Sequence, residues 1–363
     1  MNQKTKHQTL LDSRKKIAKL DKSNALGSVE ALADQVREAW EATQDITFKA
    51  EAEINSVVIV GMGGSGLGPD VVKNLFKEKL KQPLEVINSY TLPEYVDDNT
   101  LVIFSSYSGN TEEVLNCIPQ AEEKNAQMMA ICSGGKLAKI AQKKEIPVYI
   151  IDAKSNPSGQ PRMAIGYAII GMVSLLIKAN IIDITEDEIK EVIQTIIKTS
   201  EELKVEIKSE ENKAKILAFT TVDKQPIFVT SEHLVGAAHV ATNQFNENAK
   251  TFADYKVIPE INHHLLEGLR FPNSNRTSHV FLFINSKLYH SRNQLRHKLT
   301  QQVVEQNEIE TMKVKLKSET KLTQVFELIT LMAFTNFYLS MLHEIDPCPI
   351  PFVDWFKEEL KKA

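Results

Sequence analysis

The chain has 363 residues, a net charge of −4, and 42% hydrophobic and 25% charged residues. This length and composition predict two globular domains of ordinary size, and the charge balance gives no reason to expect nucleic acid as a partner. The three cysteines, Cys117, Cys132 and Cys348, lack the C-x-x-C spacing of thiolate metal sites and indicate a cytoplasmic protein without a disulfide framework.

The first stretch, residues 1–28, is basic between Lys4 and Lys22 but lacks the apolar core of a signal peptide. We interpret it as a solvated lead-in to the first domain. From Ser28 onward, apolar residues recur at helical spacing and predict an amphipathic helix that precedes the first strand.

Residues 57–66, VVIVGMGGSG, predict a buried strand that ends in a glycine-rich turn at the start of a helix. Such a turn directs backbone N–H groups and the positive end of the helix at one point, which attracts anions. Gly61, Gly63 and Gly66 also fit the dinucleotide fingerprint G-x-G-x-x-G. That fingerprint needs an acidic residue after the next strand, where this chain has Asn88, so we expect no nucleotide cofactor.

Strand and helix patterns alternate after this turn, as in a parallel sheet that helices cover on both faces. Pro69 is expected in the first turn of the helix that follows the glycine turn, where its missing N–H costs nothing. The longest apolar run, residues 163–179, falls short of the about 20 residues that a membrane span needs and predicts a buried helix. The strands are predicted at 84–88, 101–105, 128–132 and 148–151, and the helices at 112–124 and 137–143.

A charged helical connector separates this half from a second half in which the alternation resumes. The predicted fold class is therefore α/β, with two doubly wound parallel-sheet sandwiches of which the second lacks a glycine-rich turn. In the second half, strands are predicted at 226–230, 279–285 and 310–317, and helices at 233–250, 291–304 and 322–343. The predicted divisions are a lead-in (1–28), a first domain (29–182), the connector (183–214), a second domain (215–345) and a terminal helix (346–363).

A second informative turn follows the strand LVIFS and reads SYSGNTE. Ser106, Ser108 and Thr111, together with the start of the next helix, can bind a phosphate dianion without a lysine. The same residues can instead cap that helix, because serine or threonine before glutamate is common at helix starts. Since the carboxyl ends of adjacent parallel strands face one crevice, we expect this turn and the glycine turn to line the same pocket.

The pair GMGGSG and SYSGNTEE resembles the sugar isomerase (SIS) domain, a doubly wound fold that binds phosphorylated sugars. Four further segments, SGQPRMAIGY, NQFNENAK, PEINHH and DPCPIPFVDWFKEEL, make the chain similar to the bifunctional phosphoglucose/phosphomannose isomerase branch of the phosphoglucose isomerase superfamily. The motifs occur in matching order over nearly the whole chain, from Asp21 to Lys357.

The resemblance implies a metal-independent isomerase without a cofactor, which converts glucose 6-phosphate, and mannose 6-phosphate as well, into fructose 6-phosphate through a cis-enediolate. Glu247 matches the base that moves a proton between C2 and C1, and Arg162 matches the charge that stabilises the enediolate. His263 and Lys357 match the pair that opens the sugar ring. The terminal helix is then expected to close the active site, and His263 to come from the other subunit of a homodimer.

The implied phosphate and sugar site combines the two turns, with glycines that allow close backbone approach and hydroxyls that donate hydrogen bonds. Its members are Gly63, Gly64, Ser65, Ser106, Ser108 and Thr111. The expected partners are therefore a phosphorylated hexose and a second copy of the chain, with neither a nucleic acid nor a membrane.

The sequence leaves alternatives open and departs from the family pattern at His264, Leu265 and Cys348. Cys348 stands where threonine is expected, which puts substrate preference in doubt more than reaction type. A zinc isomerase would need ligands such as His263, His264 and Glu267, but H-H-x-x-E is not an established ligand spacing. A regulator that only binds a sugar phosphate, or an isomerase of another phosphosugar, are further alternatives. The regulator would not need a base, a histidine, an arginine and a lysine together.

Overall fold

The computed structural model describes residues 9–362, and its first domain is built on a parallel five-stranded sheet of order β2-β1-β3-β4-β5. Its strands are β1 (Ser56–Gly61), β2 (Leu84–Ile87), β3 (Thr100–Ser105), β4 (Gln127–Cys132) and β5 (Val148–Ile150). Its helices are α1 (Arg14–Ile17), α2 (Ala25–Glu30), α3 (Leu32–Ala42), α4 (Gly64–Phe76), α5 (Glu112–Glu123), α6 (Gly135–Lys143) and α7 (Ile165–Lys178). Helices connect β1 to β2, β3 to β4 and β4 to β5, whereas residues 88–99, between β2 and β3, form turns without a helix.

A second, four-stranded parallel sheet of order β7-β6-β8-β9 repeats this arrangement, so the predicted fold class is confirmed. Its strands are β6 (Gln225–Thr230), β7 (Asp254–Val257), β8 (His279–Asn285) and β9 (Glu310–Lys315). The remaining helices are α8 (Glu186–Leu203), α9 (Lys213–Thr221), α10 (Val235–Glu247), α11 (Asn275–Ser278), α12 (Ser291–Gln306), α13 (Lys321–Leu342) and α14 (Pro351–Leu360).

One apolar core runs through both domains, and helix α13 lies at its centre. This helix is apolar and long enough to cross a membrane, but its apolar window is wholly buried inside the protein, as in the core helix of a globular fold. Helices α4 and α10 meet where Gly236 approaches the backbone of Val71: a Cβ atom at residue 236 would lie 2.4 Å from the Cα atom of Val71. Glycine thus brings the helix that ends at Glu247 against the helix that starts at the glycine turn.

The structure corrects the prediction for Pro69, which lies in the second turn of α4 and not in its first turn, because the helix already begins at Gly64. Proline leaves the carbonyl four residues earlier without its helical N–H donor. That carbonyl belongs to Ser65, and it accepts a hydrogen bond of 2.8 Å from the Ser105 hydroxyl. A side chain at the end of β3 therefore replaces the missing donor and joins the two turns.

The short strand β7 was not predicted, because its sequence DYKV has no apolar run and none of its residues is fully buried. It is an edge strand beside β6. The predicted buried helix at residues 163–179 is confirmed as α7, whose residues from Ile169 to Leu176 are all buried.

Candidate active site

The glycine turn and the hydroxyl turn lie side by side, as the sequence predicts. Strands β1 and β3 are hydrogen-bonded neighbours, with Gly61 opposite Ser105, and the chain continues to β2 on the other side of β1. The sheet order therefore reverses at this point, and a crevice opens at the carboxyl ends of the two strands. The Ser65 hydroxyl accepts a hydrogen bond of 2.7 Å from the Tyr107 N–H, which ties one turn directly to the other.

Asn88, which stands where a dinucleotide site would have an acid, supports the glycine turn instead. Its side-chain amide donates a hydrogen bond to the Gly61 carbonyl at the end of β1. An amide has no charge with which to hold the hydroxyls of a ribose as an acid does. The contact gives Asn88 a structural role beside the crevice.

The helices that start at the two turns have no side-chain cap. Helix α4 begins after Gly63, which has a φ of 48°, and helix α5 begins after Thr111. Thr185 and Thr320 each form a complete capping box at the start of a helix, whereas Thr111 does not. The capping interpretation of Thr111 is therefore wrong, and among the described residues no side chain accepts from the first N–H groups inside either helix.

The hydroxyls of the second turn are arranged around a short internal contact. The Ser106 and Thr111 hydroxyls lie 2.7 Å apart, and the Thr111 N–H also points at the Ser106 oxygen at 3.4 Å. Ser106 is 1% exposed and Ser65 is 9% exposed, whereas Ser108 lies on the surface. Because a hydroxyl can rotate to donate to a charged oxygen, these groups can exchange their mutual contact for a phosphate.

Arg162 connects this crevice with the second domain. A Cβ atom at residue 64 would lie 3.1 Å from the Arg162 backbone nitrogen, so glycine is what lets the first turn approach the segment that carries the arginine. The Arg162 side chain then extends away from the turn and meets Glu247, with 3.1 Å between Nη1 and Oε2. The structure thus brings the predicted phosphate turn, the predicted arginine and the predicted base into one row.

All five N–H groups of the Arg162 guanidinium have acceptors, although the residue is only 1% exposed. Burial lowers the pKa of Arg162, and the charge of Glu247 opposes that shift. The group is therefore a fixed cation at the base of the site. Its acceptors are the side chains of Gln160 (2.9 Å), Glu247 (3.1 Å) and Asn248, and the carbonyls of Pro347 (3.0 Å) and Cys348 (2.9 Å).

Glu247 is the last residue of helix α10, and 32% of its side chain is exposed. Its carboxylate thus lies between a buried cation and open solvent, where a substrate can reach it. Lys250, three residues after Glu247, donates to the Glu247 carbonyl and to the Pro347 carbonyl, the latter at 2.8 Å. Burial and the charge of Arg162 lower the pKa of Lys250.

The segment before the terminal helix reaches the site through its backbone. Arg162 and Lys250 both bind the Pro347 carbonyl, and Arg162 also binds that of Cys348. The Cys348 side chain is 3% exposed, and burial raises the pKa of its thiol. The carbonyl of Cys348, and not its side chain, therefore faces Arg162.

Within the described single chain, His263 and Lys357 are not joined to Glu247. His263 ends a short 3₁₀ helix in the second domain, and Lys357 lies on helix α14, none of whose residues is buried. Both side chains are exposed, and neither makes a hydrogen bond or an ion pair with residues 9–362. Among those residues, His263, His264 and Glu267 do not form a group that could hold a metal ion.

The residues that bind and orient the Arg162 guanidinium, directly or through Asn248, were not identified from the sequence. Gln160 and Asn248 belong to quoted segments, QPR and NENAK, so proximity in sequence was an available signal. Asn336 lies in the middle of the apolar helix α13 and is completely buried. A polar residue in a mainly apolar helix was its only signal, but the same helix also contains Gln324, Glu327 and Ser340, and nothing in that pattern connected Asn336 with residues 162 or 248.

The chain is similar to known proteins along most of its length. Residues 52–179 match the SIS domain, and residues 210–360 match the C-terminal SIS domain of bacterial phosphoglucose isomerase. The bifunctional phosphoglucose/phosphomannose isomerase of Caldicellulosiruptor bescii is 33% identical over 339 residues, which make up 92% of this chain and 98% of that protein. The bifunctional phosphoglucose/phosphomannose isomerase of Aquifex aeolicus is 30% identical over 308 residues, or 84% and 90% of the two chains.

Among solved structures, a hypothetical protein from Thermus thermophilus superposes with a TM-score of 0.75 at 16% sequence identity. The superposition covers 99% of this chain and 95% of that one. At this level of identity the likeness establishes the fold, and the sequence matches establish the family.

Proposed function

Because the chain belongs to the bifunctional phosphoglucose/phosphomannose isomerase family, we infer that it interconverts glucose 6-phosphate and mannose 6-phosphate with fructose 6-phosphate. It is an isomerase, an intramolecular oxidoreductase that moves hydrogen between C1 and C2 of one sugar. The observation that carries this conclusion is the row of contacts from the two uncapped turns through Gly64 and Arg162 to Glu247. A chain that only bound a sugar phosphate would need the turns but not the carboxylate.

We propose that the phosphate group binds across the two turns. Backbone N–H groups at the starts of α4 and α5 supply donors and a favourable dipole. The hydroxyls of Ser65, Ser106, Ser108 and Thr111 complete the coordination, while Gly63 and Gly64 let the backbone approach the oxygens. No lysine is required, since charge-assisted hydrogen bonds to neutral donors suffice.

Glu247 then takes the proton from C2 and returns it to C1, and Arg162 stabilises the enediolate between these steps. Arg162 has no spare N–H group in the free chain, so it must release an acceptor before it can donate to substrate. The Nη1 hydrogen bond to Glu247 is the natural one to exchange. As the carboxylate moves to C2, that N–H group becomes available to the oxygen on which negative charge develops.

Two epimers can share one base, because glucose and mannose 6-phosphates differ only at C2 and give the same enediol. The sugar needs only to rotate about C2–C3 in order to offer either face to Glu247. The substitution of cysteine for threonine at residue 348 affects this step little in our proposal, because its carbonyl and not its thiol faces the arginine. An isomerase of another phosphosugar is separated from this proposal by the substrate test below.

We further propose a cytoplasmic homodimer in which His263 of one chain and Lys357 of the other open the ring above one Glu247. Helix α14 supports a second copy as partner, because it exposes Phe352, Trp355 and Phe356 by 86%, 60% and 57%. A short helix with that much exposed apolar surface is unstable unless it docks. We accordingly keep residues 346–363 as a separate terminal helix that closes the site.

The face that surrounds His263 offers a matching apolar surface. Phe271, Leu295 and Leu299 are exposed by 65%, 42% and 49%, and the first of these belongs to the same loop as the histidine. Helix α12 also carries exposed Arg292 and Lys298 there, opposite in sign to Asp354 and Glu358 of α14. In a two-fold dimer, α14 of each chain can pack on this face of the other.

A coupled assay tests the activity. Purified protein that receives glucose 6-phosphate, and separately mannose 6-phosphate, should form fructose 6-phosphate at rates that EDTA leaves unchanged. Binding of the sugar phosphates without turnover would instead identify a regulator, and loss of activity on chelation would identify a metal enzyme.

A subunit-mixing experiment tests the shared site. Glu247→Gln and His263→Ala protomers are unfolded together, refolded, and compared with each parent refolded alone. A random mixture should regain about a quarter of the normal ring-opening isomerisation, because half of the dimers carry one site with both native residues. No recovery in a mixture that elutes as a dimer would contradict the shared site.

A further inference from the structure

Behind Arg162, three buried amide side chains and the arginine form a closed ring of hydrogen bonds. The Arg162 Nε–H donates to Asn248, whose amide donates to Asn336 at 2.8 Å. The Asn336 amide donates to Gln244 at 3.1 Å, and the Gln244 amide donates back to the Arg162 backbone carbonyl at 3.0 Å. Every member is at most 2% exposed.

All hydrogen bonds of this ring run in the same direction, so each side chain is donor to the next and acceptor from the one before. Such an arrangement fixes the orientation of every amide, because turning any one of them over would place two donors or two acceptors together. Hydrogen bonds in a connected series also polarise one another. The ring is therefore rigid in orientation as well as in position.

The ring joins the three segments that hold the reacting groups. Gln244 and Asn248 lie on either side of Glu247 at the end of α10, and Arg162 belongs to the segment that the glycine turn contacts. Asn336 comes from the core helix α13, and its side-chain N–H groups are shared between Gln244 and the Met332 carbonyl. Asn336 thus connects Asn248 with Gln244, the two members of the ring that lie on either side of Glu247 in the sequence.

We propose that Asn336, acting through Asn248, is a positioning residue that holds the Arg162 guanidinium so that Nη1 faces the Glu247 carboxylate and the reacting carbons. Asn336 reaches neither group itself. The inference rests on the proposed isomerase function and adds a residue that is distant from both Glu247 and Arg162 in the sequence, and that only the folded structure connects with them.

Because orientation matters most where charge develops, loss of the ring should reduce stabilisation of the enediolate more than binding of the sugar phosphate. Asn336→Leu removes both amide functions at similar volume. We expect kcat to fall by about 10- to 100-fold, less than for direct loss of one preorganised donor, with KM changed by less than about 3-fold. Affinity for a sugar hydroxamate phosphate, which imitates the enediolate, should fall as kcat does, while affinity for sorbitol 6-phosphate should not.

Thr330→Val is the matched control. Thr330 is a buried residue of the same helix, and its hydroxyl bonds only within α13, to the Phe326 carbonyl at 2.7 Å. This variant should lower the melting temperature without changing kcat or either affinity. If both variants lose kcat in proportion to their loss of stability, the ring has only a structural role and the proposal is overturned.

Asn336→Asp adds a readout that packing alone does not explain. A carboxylic acid that is buried and protonated keeps one acceptor and one donor, as the amide does, whereas the carboxylate has no donor for Gln244. The kcat of this variant, relative to wild type, should therefore rise as the pH is lowered from about 8 to about 6, where a buried acid gains its proton. A flat ratio would contradict the proposal.

The outcomes distinguish this inference from the proposed function. If the wild-type protein does not turn over either hexose phosphate, the proposed function fails, and ligand affinities alone then test the ring. If the wild-type protein is active and Asn336→Leu retains its kcat, only the inference fails. If Asn336→Leu does not fold, the pH ratio of Asn336→Asp still decides the question.

Discussion

The two domains have the same strand order at their centres. They differ in how far side chains of the chain itself occupy the crevice at the carboxyl ends of the strands. In the first domain, the turns after β1 and β3 leave both helix starts without a side-chain cap. In the second domain, helix α10 also starts without a side-chain cap, but side-chain contacts within the chain join the turns after β6 and β8. The Glu232 carboxylate accepts hydrogen bonds from the His290 N–H at 2.8 Å and the Asn293 amide at 2.7 Å, at the start of α12.

Tyr289 fills the rest of the second crevice. It is 3% exposed, and its hydroxyl lies 3.3 Å from the Ser231 N–H and 3.4 Å from the Thr230 hydroxyl. A carboxylate and an aromatic ring of the chain itself therefore lie at the carboxyl ends of β6 and β8. The comparison teaches that one sheet order can carry either turns that are free to bind a ligand, as proposed for the first domain, or turns that are joined by internal contacts.

The largest effect on activity is expected for substitution of Glu247, which lies beside the crevice of the first domain. Glu247→Gln removes the proposed base while keeping its shape, so kcat should fall by about 10²- to 10⁴-fold, and binding of a sugar-acid phosphate should persist. Single-turnover assays and calorimetry measure the two quantities. The exposed Glu210→Gln serves as control, and a Glu247→Gln protein with normal rates would show that the base lies elsewhere.

In the second domain, the expected effect is on the free energy of unfolding at acid pH, because a histidine is buried beside Tyr289. His297 packs between Tyr289 and Phe283, is 2% exposed, and has no hydrogen-bond partner for either ring nitrogen within residues 9–362. Burial lowers the pKa of His297 from 6.5 to about 4. The unfolded chain thus binds a proton more readily than the folded one between these values, so the free energy of unfolding falls as the pH falls from about 6.5 to about 4.

The expected loss for His297 is about 3 kcal/mol over that range. Urea titrations of wild type and His297→Phe at several pH values measure it, and the variant should lose this part of the pH dependence. His264→Gln, which changes an exposed histidine, should keep it. An unchanged pH dependence in His297→Phe would contradict a buried neutral imidazole.

Serines at corresponding places in the two crevices sharpen the contrast. Ser106→Ala removes a hydroxyl from the open crevice, and loss of one hydrogen bond to a charged group should raise KM by about 10- to 100-fold. Ser286→Ala, after β8, removes a hydroxyl that bonds internally to Gln324 at 2.6 Å. It should leave KM unchanged, so equal effects in steady-state kinetics would contradict the assignment of the phosphate to the first domain.

The smallest effect is expected at Glu232, the internal anion. Glu232→Ala should cost about 1–2 kcal/mol of stability, because the start of α12 loses one acceptor, while the positive φ of 50° at this residue is as unfavourable for alanine as for glutamate. Activity should be unchanged. A lower kcat/KM with unchanged stability would mean that the second crevice participates in catalysis.

The alternation of strands and helices predicted most of the fold because apolar periodicity depends on local sequence. Strand β8 was predicted at residues 279–285, the bounds that the structure has. Strand β7 was missed because an edge strand with no fully buried residue has no apolar run to detect. Pro69 was misplaced because the compensating donor, Ser105, is 36 residues away in the sequence.

The candidate site was predictable where one turn contained all the relevant residues, as at residues 106–111. It was not predictable where the chemistry depends on contacts between distant segments. The five acceptors of Arg162 come from three regions of the chain, and Asn336 is known only through the fold. The roles of His263 and Lys357 stay predictions, since they depend on a second subunit.

The close approach of Gly236 to Val71 has a consequence for which sugars fit. Helix α4 starts at the proposed phosphate site and α10 ends at the proposed base, so the contact between the two helices fixes the distance between these sites. In the proposed mechanism, a sugar phosphate fits when the distance from its phosphate to C2 matches this separation. A methyl group at residue 236 would push helices α4 and α10 apart. The preference among substrates should then shift toward sugars with longer carbon skeletons.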